Sequence, residues 1–201
     1  MSTFHFTFVV LFLALIVIRL YFHFRARTWS QQGCKTEGVS LFVRLFVGIP
    51  LMFGIFAYLF RPQVLARASM PLDSAWRWIG AGIFGLSLPF LIWVQQALGK
   101  NFSTDLRIRH DHTLVTWGPY RYVRHPMYTV LVLMFVGMGL LTANWFIGGA
   151  GIVVLIVIMI SRTPKEEAML LATFGDNYKR FAESTGKYLP CFRPNRQSSR
   201  P

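Results

Sequence analysis

Between His112 and Tyr128 the chain reads His-Thr-Leu-Val-Thr-Trp-Gly-Pro-Tyr-Arg-Tyr-Val-Arg-His-Pro-Met-Tyr, placing three tyrosines, two histidines, two arginines and a tryptophan in one short run. Aromatic faces wall off a flat or cationic ligand, and imidazole and guanidinium groups add directed hydrogen bonds. Pro119 and Pro126 lack an amide donor and restrict the residue before each, so a stiff frame is expected, with a helix opening at Pro126 whose first-turn amides are free. The second charged stretch, Arg162-Thr163-Pro164-Lys165-Glu166-Glu167, closes a long apolar run. A snorkelling arginine is the default explanation of Arg162, yet a guanidinium at a membrane boundary is also the group best shaped to clamp a carboxylate by two parallel hydrogen bonds. Thr163-Pro164-Lys165-Glu166 has the form of a capping box, with Thr163 as N-cap, so local sequence reads Glu166 equally well as a helix cap or as a ligand. Pro164 is expected to break the helix ladder, so that Arg162 and Glu166 need not share one face.

Plainer roles compete for several of these residues. Arg121 and Arg124 suit lipid headgroups, and Tyr120, Tyr122 and Tyr128 suit an interfacial aromatic belt. The two-proline frame favours a site for Tyr120 and Tyr128, because belt residues need no rigid loop. Five histidines, two of them in the first apolar run, are too few for the histidine boxes of a membrane di-iron enzyme, and no metal site is expected. Cys34 and Cys191 are isolated, which supports neither a disulfide nor a CxxC centre.

These groups must be positioned by elements of a membrane protein. Of 201 residues 54% are hydrophobic and only 14% charged, about half the charged share of a soluble domain. The net charge of +13 lies mostly beside apolar runs, where headgroups account for it, and nucleic acid is not an expected partner. The expected fold is an all-α integral membrane bundle, a single domain over 1–201, with spans at about 4–24, 41–60, 76–98, 128–142 and 144–161. The uncharged run from Tyr128 to Ile160 is too long for one crossing, so it is read as a hairpin turning at Thr142, Ala143 and Asn144. Lysine and arginine bias puts the N-terminus outside and gathers 99–127 and 162–191 on the cytoplasmic face. Two amphipathic helices, broken at Gly175, are expected after Pro164, and a disordered tail after Phe192.

Gly118-Pro119-Tyr120-Arg121-Tyr122-Val123-Arg124-His125-Pro126-Met127-Tyr128, then Arg162 to Glu167, then Phe174-Gly175-Asp176-Asn177-Tyr178, resembles the isoprenylcysteine carboxyl methyltransferase family in order and spacing. One departure is Val130, where related sequences often carry glycine. The resemblance implies S-adenosylmethionine as cofactor, held by His112, Thr113, Leu114, Val115, Tyr120, His125, Pro126, Met127, Tyr128 and Glu166. It also implies methyl transfer to a lipophilic or prenylated acceptor at the bilayer, with Arg162 and Glu166 catalytic and Arg162 holding the acceptor, most simply a carboxylate. Phospholipid N-methylation is the alternative within enzymes; a non-catalytic membrane scaffold or transporter is the alternative outside them.

Overall fold

The computed structural model describes residues 2–27, 39–99 and 113–190; His110, His112, Cys34, Cys191 and the tail after Phe192 lie outside them. Six α-helices carry the described chain: α1 (Thr3–Arg27), α2 (Val39–Phe60), α3 (Ser74–Leu98), α4 (Pro126–Thr142), α5 (Gly151–Phe174) and α6 (Asp176–Ser184). Short turns of tighter helix sit at Pro62–Ala68 and Gly118–Arg121, and a wider π-turn at Phe146–Ala150 leads into α5. Among the described residues there is no strand, only isolated bridges. In an apolar solvent every backbone group must be satisfied within its own segment, and runs of leucine, isoleucine, valine and phenylalanine do this as helices. Three stretches, Thr3–Arg25, Ser74–Leu98 and Phe146–Phe174, are long and apolar enough to cross a membrane, and Leu51–Phe60 and Pro126–Thr142 are shorter apolar helices. The fold is thus an all-α, multi-pass membrane bundle.

Antiparallel α3 and α4 form its centre. A Cβ on Gly80 would stand 2.5 Å from the Leu141 amide nitrogen, and one on Gly137 would stand 2.6 Å from that of Phe84. The two glycines therefore let the helix backbones touch, the small-residue packing that membrane helices use in place of a hydrophobic drive. Around this seam Phe8, Phe84, Leu91, Val94, Val130, Met138, Leu141 and Ile147 are buried, whereas Phe6, Val17, Phe53, Phe60, Leu86, Val153 and Ile160 point outward. Val130, in place of a glycine, fills the core and is fully buried.

The hairpin between α4 and α5 turns where its residues allow. Ala143 takes a left-handed conformation at φ 49°. Asn144 Oδ1 accepts from the Ile147 amide at 3.2 Å, while its Nδ2 donates to the Leu65 carbonyl at 3.1 Å. One side chain thereby satisfies the start of the next element and sutures the turn to the Pro62–Ala68 segment.

Two expectations at the other end of the hairpin are corrected. The helix does not restart at Pro164: α5 runs unbroken from Gly151 to Phe174 with Pro164 inside it, so Thr163 is no N-cap and the capping box does not form. Pro164 forfeits one backbone hydrogen bond, and local pairings hold the helix across the gap. Thr163, 1% exposed, accepts from the Tyr188 hydroxyl at 3.0 Å, and Arg162 Nη2 reaches Glu166 Oε1 at 3.3 Å. Arg162 and Glu166 consequently share a face, as an i, i+4 pair. The break at Gly175 is present: its φ of 52° ends α5 in a conformation glycine adopts without a steric penalty, and α6 follows.

Candidate active site

The proline frame positions the central residues. Pro119 and Tyr120 sit in the Gly118–Arg121 turn, which packs on the end of α3; Gly118 at φ 62° has Ala97 Cβ 3.2 Å from where a side chain would start. Pro126 then opens α4, and His125 precedes it with its amide donating to the Lys187 carbonyl at 3.0 Å. The Arg124 amide donates to Gly186 O at 2.8 Å, so the chain beyond α6 returns alongside the site loop as a short parallel strap, bridging Val123 and Gly186. The Arg124 guanidinium reinforces the strap, donating to the Thr185 carbonyl at 2.9 Å and to that of Ala182. Thr129 Oγ1 donates to Tyr188 O at 2.7 Å.

Within this frame His125 stands between two carboxylates. Its Nε2 is 3.3 Å from Glu167 Oε1 and its Nδ1 is 3.6 Å from Glu166 Oε2. Glu167 also takes Lys187 Nζ at 2.9 Å and Arg124 Nε at 3.3 Å, so it ties the loop, α5 and the strap together. Burial pushes the His125 imidazole below its ordinary pKa, with Lys187 and Arg124 adding to this and the Glu167 carboxylate opposing it. Burial also raises the Tyr120 phenol, and the negative charge of Glu166 adds to the effect. Both groups are therefore uncharged at neutral pH.

Aromatic rings close the other side. The His125 ring centroid lies 6.0 Å from that of Tyr128 and 5.9 Å from that of Tyr188, and the two tyrosines are 6.3 Å apart at 75°. A nest of aromatic faces beside a carboxylate suits a ligand carrying positive charge on sulfur or nitrogen together with an apolar body, as S-adenosylmethionine does.

Of the residues expected from sequence, His125, Tyr128, Arg162 and Glu166 come together in one constellation. Tyr120 is buried within electrostatic reach of Glu166, and Val115 and Met127 pack against the same core as Tyr120. Pro126 is buried at the helix start. Thr113 is exposed and Leu114 half-buried in the irregular stretch before Trp117, and His112 falls outside the described residues. Sequence reasoning includes Glu167 in the motif that carries the resemblance but gives it no role of its own, and it does not reach Lys187 or Tyr188. The doubled Glu166-Glu167 was a visible signal for the first, whereas nothing local marks Lys187 or Tyr188.

Comparison with known proteins gives this constellation a context. Residues 79–172 match the model of the isoprenylcysteine carboxyl methyltransferase family. The chain is 34% identical over 94 residues to protein-S-isoprenylcysteine O-methyltransferase A of Arabidopsis thaliana, covering 46% of this chain and 48% of that protein. It is 35% identical over 94 residues to the protein-S-isoprenylcysteine O-methyltransferase of Schizosaccharomyces pombe, covering 46% and 40%. A longer match, 29% over 139 residues, joins it to the enzyme of that name from Dictyostelium discoideum, covering 61% and 52%. The chain spans about half the length of the curated relatives it matches. The matched segment runs from α3 through the proline-framed loop and the hairpin to Glu166 and Glu167, so over residues 79–172 the chain is similar to the isoprenylcysteine carboxyl methyltransferase family.

Proposed function

We propose that this protein is a membrane methyltransferase that uses S-adenosylmethionine to methylate the carboxylate of a lipophilic, isoprenylcysteine-like acceptor. The observation that carries the reading is the convergence of His125, Tyr128, Arg162 and Glu166 at one end of the α4–α5 hairpin, within the segment the family shares. When bound, the cofactor supplies a methyl group already activated by a sulfonium. The protein's part is then alignment and exclusion of water, which demands no covalent nucleophile.

Each residue has a part in this. Tyr120, Tyr128, Val115 and Met127 provide apolar and aromatic surface for an adenosine, and His125, uncharged, offers directed hydrogen bonding beside Tyr128. Glu166 provides the negative charge that a cationic cofactor seeks. Arg162, fixed by Glu166, presents a planar guanidinium at the end of an apolar helix, where the polar end of a lipid-borne carboxylate arrives. A carboxylate is nucleophilic at neutral pH, whereas a phospholipid ammonium must first lose a proton to a base. Glu166, shared between Arg162 and His125, is poorly placed to act as that base. The lysine and arginine bias puts this end of the bundle in the cytoplasm.

Isothermal titration of the detergent-purified protein with S-adenosylhomocysteine tests the cofactor reading before any acceptor is known. Saturable binding with one site per chain is expected, and weaker binding to His125→Ala. A protein that takes up no S-adenosylhomocysteine is not a methyltransferase of this kind.

A further inference from the structure

The strap beyond α6 lies outside the segment matched by the family, yet it delivers a tyrosine into the candidate site. Tyr188 is fixed at both ends. Its carbonyl accepts from Thr129 Oγ1 at 2.7 Å, its hydroxyl donates to the buried Thr163 Oγ1 at 3.0 Å, and its neighbours Gly186 and Lys187 are bonded to the Arg124 and His125 amides. A ring held this way loses little entropy when a ligand packs on it. With His125 and Tyr128 it makes a triangle of rings, each pair of centroids 5.9 to 6.3 Å apart, in which the two tyrosines meet edge to face instead of covering one another.

Aromatic faces attract a cation, and several rings grouped together form the recurrent solution for onium groups, which have no proton to donate. Lys187 Nζ already lies 5.8 Å from the Tyr188 centroid, at the outer edge of cation–π range, while its charge is engaged by Glu167 at 2.9 Å. We infer that Tyr188 is a cofactor-binding residue, its ring completing with His125 and Tyr128 an aromatic wall for the sulfonium of S-adenosylmethionine. The inference rests on the methyltransferase reading above and adds a contact from the C-terminal strap.

The discriminating comparison is between S-adenosylmethionine, which carries the sulfonium, and S-adenosylhomocysteine, which has the same adenosine and amino acid on a neutral thioether. Dissociation constants for both are measured by titration on the unaltered protein and on Tyr188→Phe and Tyr188→Leu. Tyr188→Phe retains the π-face and should keep the affinity ratio of the two ligands, even if loss of the Thr163 hydrogen bond weakens both equally. Tyr188→Leu should weaken S-adenosylmethionine about tenfold, within the range of a desolvated cation–π contact, and S-adenosylhomocysteine much less. If Tyr188→Leu does not fold, phenylalanine with one, two and three ring fluorines at position 188 provides the same test, and affinity for S-adenosylmethionine alone should fall stepwise. Equal weakening of both ligands, or none, overturns the role of Tyr188 while leaving the cofactor reading intact. Failure of the unaltered protein to bind either ligand overturns both.

Discussion

His125 stands where the charged and aromatic groups of the candidate site meet, and its surroundings fix how it responds to pH. Its pKa is lowered in the folded protein, so the unfolded chain binds a proton more readily. Stability linked to His125 is therefore fully present above the unfolded value of about 6.5 and is lost as pH falls through the lower folded value. Thermal melts of the solubilised protein should show a midpoint that drops below about pH 6.5, and His125→Asn should flatten that limb; an identical acid limb in the variant would remove His125 as its cause. For the cofactor, Tyr128→Ala or His125→Ala should each weaken S-adenosylhomocysteine binding by roughly five- to fiftyfold, the loss of one or two directed contacts to a buried ligand, read by titration. Arg162→Lys keeps the charge and loses the two-point fork, so turnover should fall at least tenfold while cofactor affinity changes less than about threefold. Among single residues, sequence identified His125, Tyr128, Arg162 and Glu166 through the motif. It gave Glu167 no role of its own and left Lys187 and Tyr188 unmarked, because their contacts depend on a strap some twenty residues beyond Glu167 returning beside Arg124, and no local periodicity encodes that return.

At the scale of elements, α3 against α4 is the contact on which the site loop rests, since Gly118 leans on Ala97 at one end and Gly80 meets Leu141 at the other. Gly137→Ala would press a methyl into the Phe84 backbone, where neither helix can yield cheaply, and should cost about 1–3 kcal/mol. Gly82→Ala, which meets nothing within 4 Å, is the matched control and should leave the melting temperature unchanged. Equal effects from the two would mean that this seam does not hold the bundle. Helix positions were legible because lipid-grade apolar runs bounded by charged or turn residues have few other solutions. Asn144 and Gly175 ended elements as their residue types dictate. Pro164 did not: proline's local rule lost to an apolar run already committed to a helix and to the Arg162–Glu166 and Thr163–Tyr188 pairings that brace it, the second of them invisible to a local reading.

For the whole molecule, the charge bias is what predicts an orientation in the membrane. The first eighteen residues carry no lysine or arginine, and the hairpin turn at Thr142–Asn144 is likewise uncharged, whereas residues 25–40, 99–127 and 162–201, the stretches expected in the cytoplasm, hold 16 of the 21 lysines and arginines. A phosphatase fused after residue 201 should be inactive and a green fluorescent protein at the same point bright; the reverse would invert the bundle and move the site to the outer face. The α4–α5 hairpin brings the proline-framed loop and the Arg162–Glu167 face to one end of the bundle, where, in the proposed function, a cofactor from the aqueous side would meet an acceptor from the lipid. The proposed reaction is transfer of a methyl group between the two. Its direct measurement is incubation of the purified, lipid-reconstituted protein with S-adenosylmethionine labelled in the methyl group and a farnesylated cysteine, followed by extraction and mild alkali. Label is expected in the organic phase that alkali releases as methanol, with loss of that label in Arg162→Lys; no incorporation, or label that resists alkali as an N-methyl group does, would overturn carboxylate methylation.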